Sequence, residues 1–131
     1  MPQDLLFSTP LWSWYFPDAQ SLIPLCLRVK HIEDADPEGL QRTNQGGWHS
    51  QTNLLEDKEF SKLFTWIAEV CNEAFLETGW DMTQATPRFN NAWAMVSRSG
   101  HGLRAHLHPN SLFSGVFYLA APEGCGDIAF L

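Results

Sequence analysis

Phe60, Leu63, Phe64, Ile67, Cys71, Ala74 and Phe75 recur at three- and four-residue spacing, and this constrains the chain more than any other feature. An α-helix turns once in 3.6 residues, so these side chains share one face and need a packed surface to cover it. The spacing predicts a helix near 58–77. Asp57 suits its N-cap, and Glu56, Asp57 and Glu59 lie where the helix dipole favours negative charge. Thr78-Gly79 suits its end.

Beyond that helix the period changes. Phe89, Asn91, Trp93 and Met95 alternate with Asn90, Ala92, Ala94 and Val96, the two-residue repeat of a strand. A glycine turn spans 97–102, a second strand is expected over 112–120, and a third opens at Asp127 after a turn at 122–126. Upstream, Leu5 to Phe16 reads as an extended segment broken by Pro10 and closed by Pro17. Ser21 to Lys30 reads as a short helix capped by Asp18, and His31 to Gln45 as an acidic surface loop.

The 131 residues suit one domain, 1–131, and six Trp and nine Phe supply a core. A net charge of -7 with no basic run argues against a nucleic-acid surface and against docking on anionic lipid. Cys26, Cys71 and Cys125 form no CxxC pair, which suits a reduced intracellular protein with small buried thiols. No apolar run approaches the roughly 20 residues of a membrane span, and the first 16 residues contain no Lys or Arg, so a cytoplasmic location is expected. The closing Ile128-Ala129-Phe130-Leu131 is an apolar strand that wants a neighbour. It predicts a domain incomplete at its C-terminus and a homo-oligomer formed through the open strand edge.

The chemistry concentrates in Arg104-Ala105-His106-Leu107-His108-Pro109-Asn110. Imidazoles two residues apart on an extended chain project to one side and can reach one metal ion; zinc, iron, copper and nickel all suit them. His101 in the glycine turn and His31 read as exposed, and His49 as a residue that fixes its loop by a hydrogen bond. Glu123 and Asp127 are the nearest downstream carboxylates. Gly100, five residues and His106-Leu107-His108 resemble the opening of the first cupin motif. Leu112 and Phe113 stand where that motif needs a Glu.

A second resemblance is closer. His106-Leu107-His108-Pro109-Asn110-Ser111 followed by Ser114-Gly115-Val116-Phe117-Tyr118-Leu119 resembles a branch of iron(II)/2-oxoglutarate oxygenases in bacteria and marine phages, related to the prolyl hydroxylases. Asn44-Gln45-Gly46-Gly47-Trp48-His49-Ser50 and Asn91-Ala92-Trp93-Ala94 support it, and the likeness runs from Leu6 to Phe130. The resemblance implies a mainly β fold with α (α+β): the N-terminal part of a double-stranded β-helix, or jelly roll, with the 58–77 helix packed on it. It implies a dioxygenase that hydroxylates a small-molecule or peptide substrate with Fe(II) and 2-oxoglutarate. His106 and His108 would ligate iron, His108 at a position usually held by a carboxylate. Tyr118 would hold 2-oxoglutarate, and Arg88, Asn91 and Trp93 would border the substrate pocket. The family's distal histidine and its 2-oxoglutarate arginine have no counterpart here. The rival expectations are a non-catalytic binding or structural protein derived from the same fold, and a cupin-like metal-binding protein.

Overall fold

The structure is a computed structural model, and it describes residues 8–130. Leu5, Leu6 and Phe7 of the expected N-terminal extended segment, and Leu131 of the expected third strand, lie outside the described residues.

Two helices dominate. Asp18 accepts a hydrogen bond from the Ser21 amide (3.3 Å) and opens a 3₁₀ turn, Ala19–Leu22, that runs into α1, Ile23–Ala35. Pro24 falls in the first turn of α1, where its missing N–H costs nothing. Leu25, Val29 and Glu33 are the buried residues of α1, one turn apart on one face. The helix therefore runs past Lys30 and takes up the start of the expected acidic loop. Glu33 explains the extension. Its carboxylate is buried and meets Arg98 Nη2 at 2.6 Å, so a charged stretch that looks solvated is held by a distant partner.

The helix expected near 58–77 is a 3₁₀ turn, Lys58–Phe60, followed by α2, Ser61–Glu77. Asp57 caps the Glu59 amide at 3.0 Å and also meets Arg28 Nε of α1 at 2.7 Å, which ties the two helices together. Gly79 takes a φ of +79° just past the end, where a side chain would strain the backbone. Leu63, Ala74 and Phe75 of α2 are buried, with Phe64, Ile67 and Cys71 half-buried on the same face.

The β structure is slight. β1 (Asn44–Gln45) pairs antiparallel with β4 (Gly102–Leu103), and β2 (Trp48–His49) pairs antiparallel with β3 (Met95–Val96). The register changes between the two ribbons because 97–101 on one side is longer than Gly46-Gly47 on the other. Gly46 has a φ of +81°, and a Cβ there would lie 2.8 Å from the His101 ring, so the turn needs glycine. The polar residues of this stretch are structural. Buried Asn44 donates from Nδ2 to the carbonyls of Leu40 and Gly47 and accepts the Arg42 amide. Ser50, also buried, accepts the Ala94 amide through Oγ at 3.0 Å. Trp48 donates from Nε1 to the Asp36 carbonyl at 2.7 Å.

The core lies where α1, the start of α2 and the ribbons meet: Leu22, Leu25, Val29, Trp48, Leu54, Phe60, Leu63 and Ala94. Phe60 is 1% exposed, a burial worth about 1.5–3 kcal/mol.

This architecture overturns the expected fold. The described residues form a mainly helical chain with two open two-stranded ribbons, not a double-stranded β-helix. A jelly roll needs two facing sheets, and the strands that would build them lack ladders. Residues 112–120 keep their alternation but pair with nothing described, and 127–130 form no strand. Pro109 and Pro122 bracket the 112–120 stretch and offer no N–H to a ladder. Among the described residues, no helix is long and apolar enough to cross a membrane.

Candidate functional site

The expected site residues distribute unevenly. β2 pairs His49 with Met95, so Trp93, two residues before Met95, falls diagonally across from His49 on the same face. The two rings stack at 5.4 Å with an 11° interplanar angle. After β4 the chain folds back so that His108 also stacks with Trp93, 6.0 Å and 21° from it. His106 meets His108 edge-on at 4.9 Å. The result is a column of four rings that runs from buried His49 to exposed His106.

Hydrogen bonds fix two of its imidazoles. His49 Nδ1 lies 2.6 Å from the Ser50 carbonyl and His106 Nδ1 lies 2.8 Å from the Arg104 carbonyl. A carbonyl oxygen only accepts, so Nδ1 carries the proton in both rings and a neutral ring keeps its lone pair on Nε2. Asn110 closes the segment with a φ of +63°, a left-handed position that Asn tolerates better than most residues.

The structure therefore brings His106, His108 and Trp93 together and adds His49, which sequence reasoning had placed only as a loop-fixing residue. It does fix its loop, through Ser50. Its stacking depends on a strand register that only the fold reveals. The other expected residues stand apart. Arg88 and Asn91 are exposed ahead of β3, and Tyr118 stands on the exposed side of its segment, opposite Phe117 and Leu119. Two shallow depressions of about 210 and 340 Å³ lie beside Phe16 and Lys62, and Arg88, Asn91 and Trp93 line neither.

This donor set does not fit the expected iron chemistry. Iron(II) in an oxygenase needs three protein ligands on one face, with positions left open for the cosubstrate and O₂. Among the described residues, no group of three or more His, Cys, Asp or Glu side chains could hold a metal ion. His106 and His108 are two neutral donors, and Glu123 and Asp127 add no third ligand to them. The expectation of an Fe(II)/2-oxoglutarate dioxygenase, and of iron and 2-oxoglutarate as its cofactors, is therefore corrected. The cupin-like alternative fails on the same donor count.

The thiols carry no evident chemistry. Cys26 and Cys71 are half-buried and Cys125 is exposed, all three free, and burial pushes the Cys71 thiol up from its ordinary value.

A family model described as "Putative 2OG-Fe(II) oxygenase" matches residues 91–131, well under half of the chain. The resemblance read from Leu6 to Phe130 thus narrows to the stretch with the histidines and the segment after them. In that stretch the barrel and the ligand triad that define such an enzyme are missing among the described residues. No curated protein and no solved structure matches the chain. What the comparisons support is a weak, partial likeness to that family and no more.

Proposed function

We propose that the chain is a non-catalytic binding module. In this reading its packed body presents residues 112–120, an apolar segment of alternating burial that bends at Leu112 and Leu119, and another polypeptide adds a strand along the stretch between the bends. The observation that carries it is the state of that segment. Phe117 packs on Trp66 and Phe16 (5.9 and 6.1 Å between ring centroids), and the Leu119 carbonyl faces Cys26 Sγ. On the opposite side Leu112 and Val116 are each 64% exposed and Tyr118 is 56% exposed.

One face of the segment is thus anchored on the helices, while its backbone pairs with no described strand. Unpaired backbone N–H and C=O groups along an apolar segment are a template for strand addition. Recognition of this kind takes affinity from main-chain hydrogen bonds and specificity from alternate side chains. The partner class it suits is an extended peptide with apolar residues at every second position.

Hydrogen–deuterium exchange tests the reading. In dilute protein the 112–120 amides should exchange within seconds while those of α2 are protected. A synthetic peptide of alternating Val and Thr, in excess, should then slow the exchange of 112–120. Full protection of these amides in dilute protein, or no change with peptide, sinks the proposal.

A further inference from the structure

We infer that residues 8–17 are a built-in strap that guards one flank of the 112–120 segment and is displaced when a partner strand adds there; this rests on the binding-module reading above. The strap touches the segment twice, in step. Trp12 meets Phe113 at 5.2 Å between ring centroids, and Phe16 meets Phe117 at 6.1 Å. Each step is four residues and both run the same way along the chain, so the two stretches lie side by side and parallel. Both rest on α2. Phe16 and Phe117 share Trp66 (5.0 and 5.9 Å), Phe113 stacks on Phe75 at 4.1 Å, and Trp12 donates from Nε1 to Glu77. A chain that runs in step along one flank fills the room a partner strand would need there.

The strap is held firmly at one end only. Phe16 packs against the core, and the chain then enters the Asp18 turn. Over 8–15, Trp12 alone is half-buried, and its hydrogen bond to Glu77 is exposed; Leu11 and Tyr15 are 71% and 96% exposed. Among the described residues, 8–17 make no backbone hydrogen bond, although the backbone of 112–120 beside them is unpaired. Pro10 and Pro17 offer no N–H and make the strap a poor ladder partner. The strap can therefore peel from its Trp12 end while Phe16 stays in place. A proline-free partner strand forms the main-chain hydrogen bonds that the strap does not. Closure of the strap lowers the partner's apparent affinity in proportion to the fraction of molecules left open.

Titration with the Val/Thr peptide, read as slowed exchange of the 112–120 amides, tests this. Trp12→Ala should lower the half-saturating peptide concentration about 3- to 10-fold. Trp12→Phe keeps a ring on Phe113 and should lower it less. Glu77→Ala, at the exposed end of α2, removes the acceptor and leaves every ring; it should act in the same direction, about 2-fold. An unchanged helical circular-dichroism signal will show that the variants fold. In the parent chain the Trp12 indole N–H resonance, identified by its absence in Trp12→Phe, should move as peptide is added.

Equal half-saturation in parent and variants, with an unmoved indole resonance, overturns the strap and leaves the binding module standing. Weaker binding by Trp12→Ala makes the strap a support for the segment and overturns the inference. A peptide that protects 112–120 in neither parent nor variant overturns both.

Discussion

Two regions of this chain are similarly rich in large apolar side chains and differ in how those side chains are used. Residues 19–103 hold the core, in which Phe60, Leu63 and Trp48 are covered by α1, α2 and the ribbons. Residues 104–130 carry Leu107, Leu112, Val116, Tyr118, Ile128 and Phe130, all of them exposed. The difference is one of period. A helix satisfies its backbone within itself and asks only for a surface to cover its apolar stripe. A strand satisfies neither its backbone nor its face without a neighbour. Apolar content therefore becomes stability in the first region and stays exposed in the second.

Truncating one side chain from each region gives the widest contrast. Phe60→Ala should destabilise the chain by about 3–5 kcal/mol, because it empties a fully packed position. Phe130→Ala should change stability by no more than about 0.5 kcal/mol. Urea unfolding followed by tryptophan fluorescence measures both. A comparable loss from the two variants would mean that 104–130 is part of the folded core, and the comparison would break.

Within the body, the polar anchors come next. Asn44→Ala should cost about 1–3 kcal/mol, since it strands the Arg42 amide and two carbonyls beneath the ribbons. Arg98→Ala should cost about 1–2 kcal/mol. It leaves the buried Glu33 carboxylate with only Lys30 Nζ, 3.6 Å away. The value is held down because the Arg98 side chain is itself half in solvent. Urea midpoints would measure the two losses; near-neutral results would mean that Asn44 does not hold its turn and that the Glu33–Arg98 pair does not tie α1 to the stretch after β3.

These anchors also explain what could be read from the sequence. α2 was legible because its apolar stripe and its Asp57 cap are local features. The second half of α1 was not, because Glu33 looks like a loop residue until Arg98, far along the chain, is placed beside it. The 112–120 stretch shows the alternation of a strand, yet alternation reports only that two faces differ. Ladder partners are set by distant residues, which no local pattern encodes. The ring column was half legible: the His106/His108 spacing was visible, whereas Trp93 and His49 joined it through the β2–β3 register.

A smaller effect is expected in acid. The Ser21 amide, with Lys62 nearby, holds the Asp18 carboxyl below its ordinary value. The Thr83 hydroxyl and amide do the same for Asp81. A carboxylate whose folded pKa is depressed stabilises the fold above its unfolded value of about 3.9 and loses that contribution as pH falls through the folded pKa. The turns at 18–22 and 81–84 should therefore loosen below about pH 4. Asp18→Asn should remove the acid-dependent part at the first turn, as read from the Ser21 amide shift by NMR. An amide shift that titrates unchanged in Asp18→Asn would assign the effect elsewhere.

The smallest expected effect is zero, and it bears on the histidines. Their segment lies in the uncovered region, where His108 is held by Trp93 and His106 by the Arg104 carbonyl. If the ring column is only packing, anaerobic addition of Fe(II) and 2-oxoglutarate should produce no charge-transfer absorption band, and aerobic incubation should produce no succinate. His106→Ala with His108→Ala should leave both readings unchanged, while Trp93 emission shifts because its stacking partner is gone. A band in the parent chain that vanishes in the double variant would mean that a third ligand reaches the pair. It would move the 104–110 segment from the uncovered half of the comparison into a catalytic site. Two donors with no third beside them among the described residues is the physical reason to expect the flat trace.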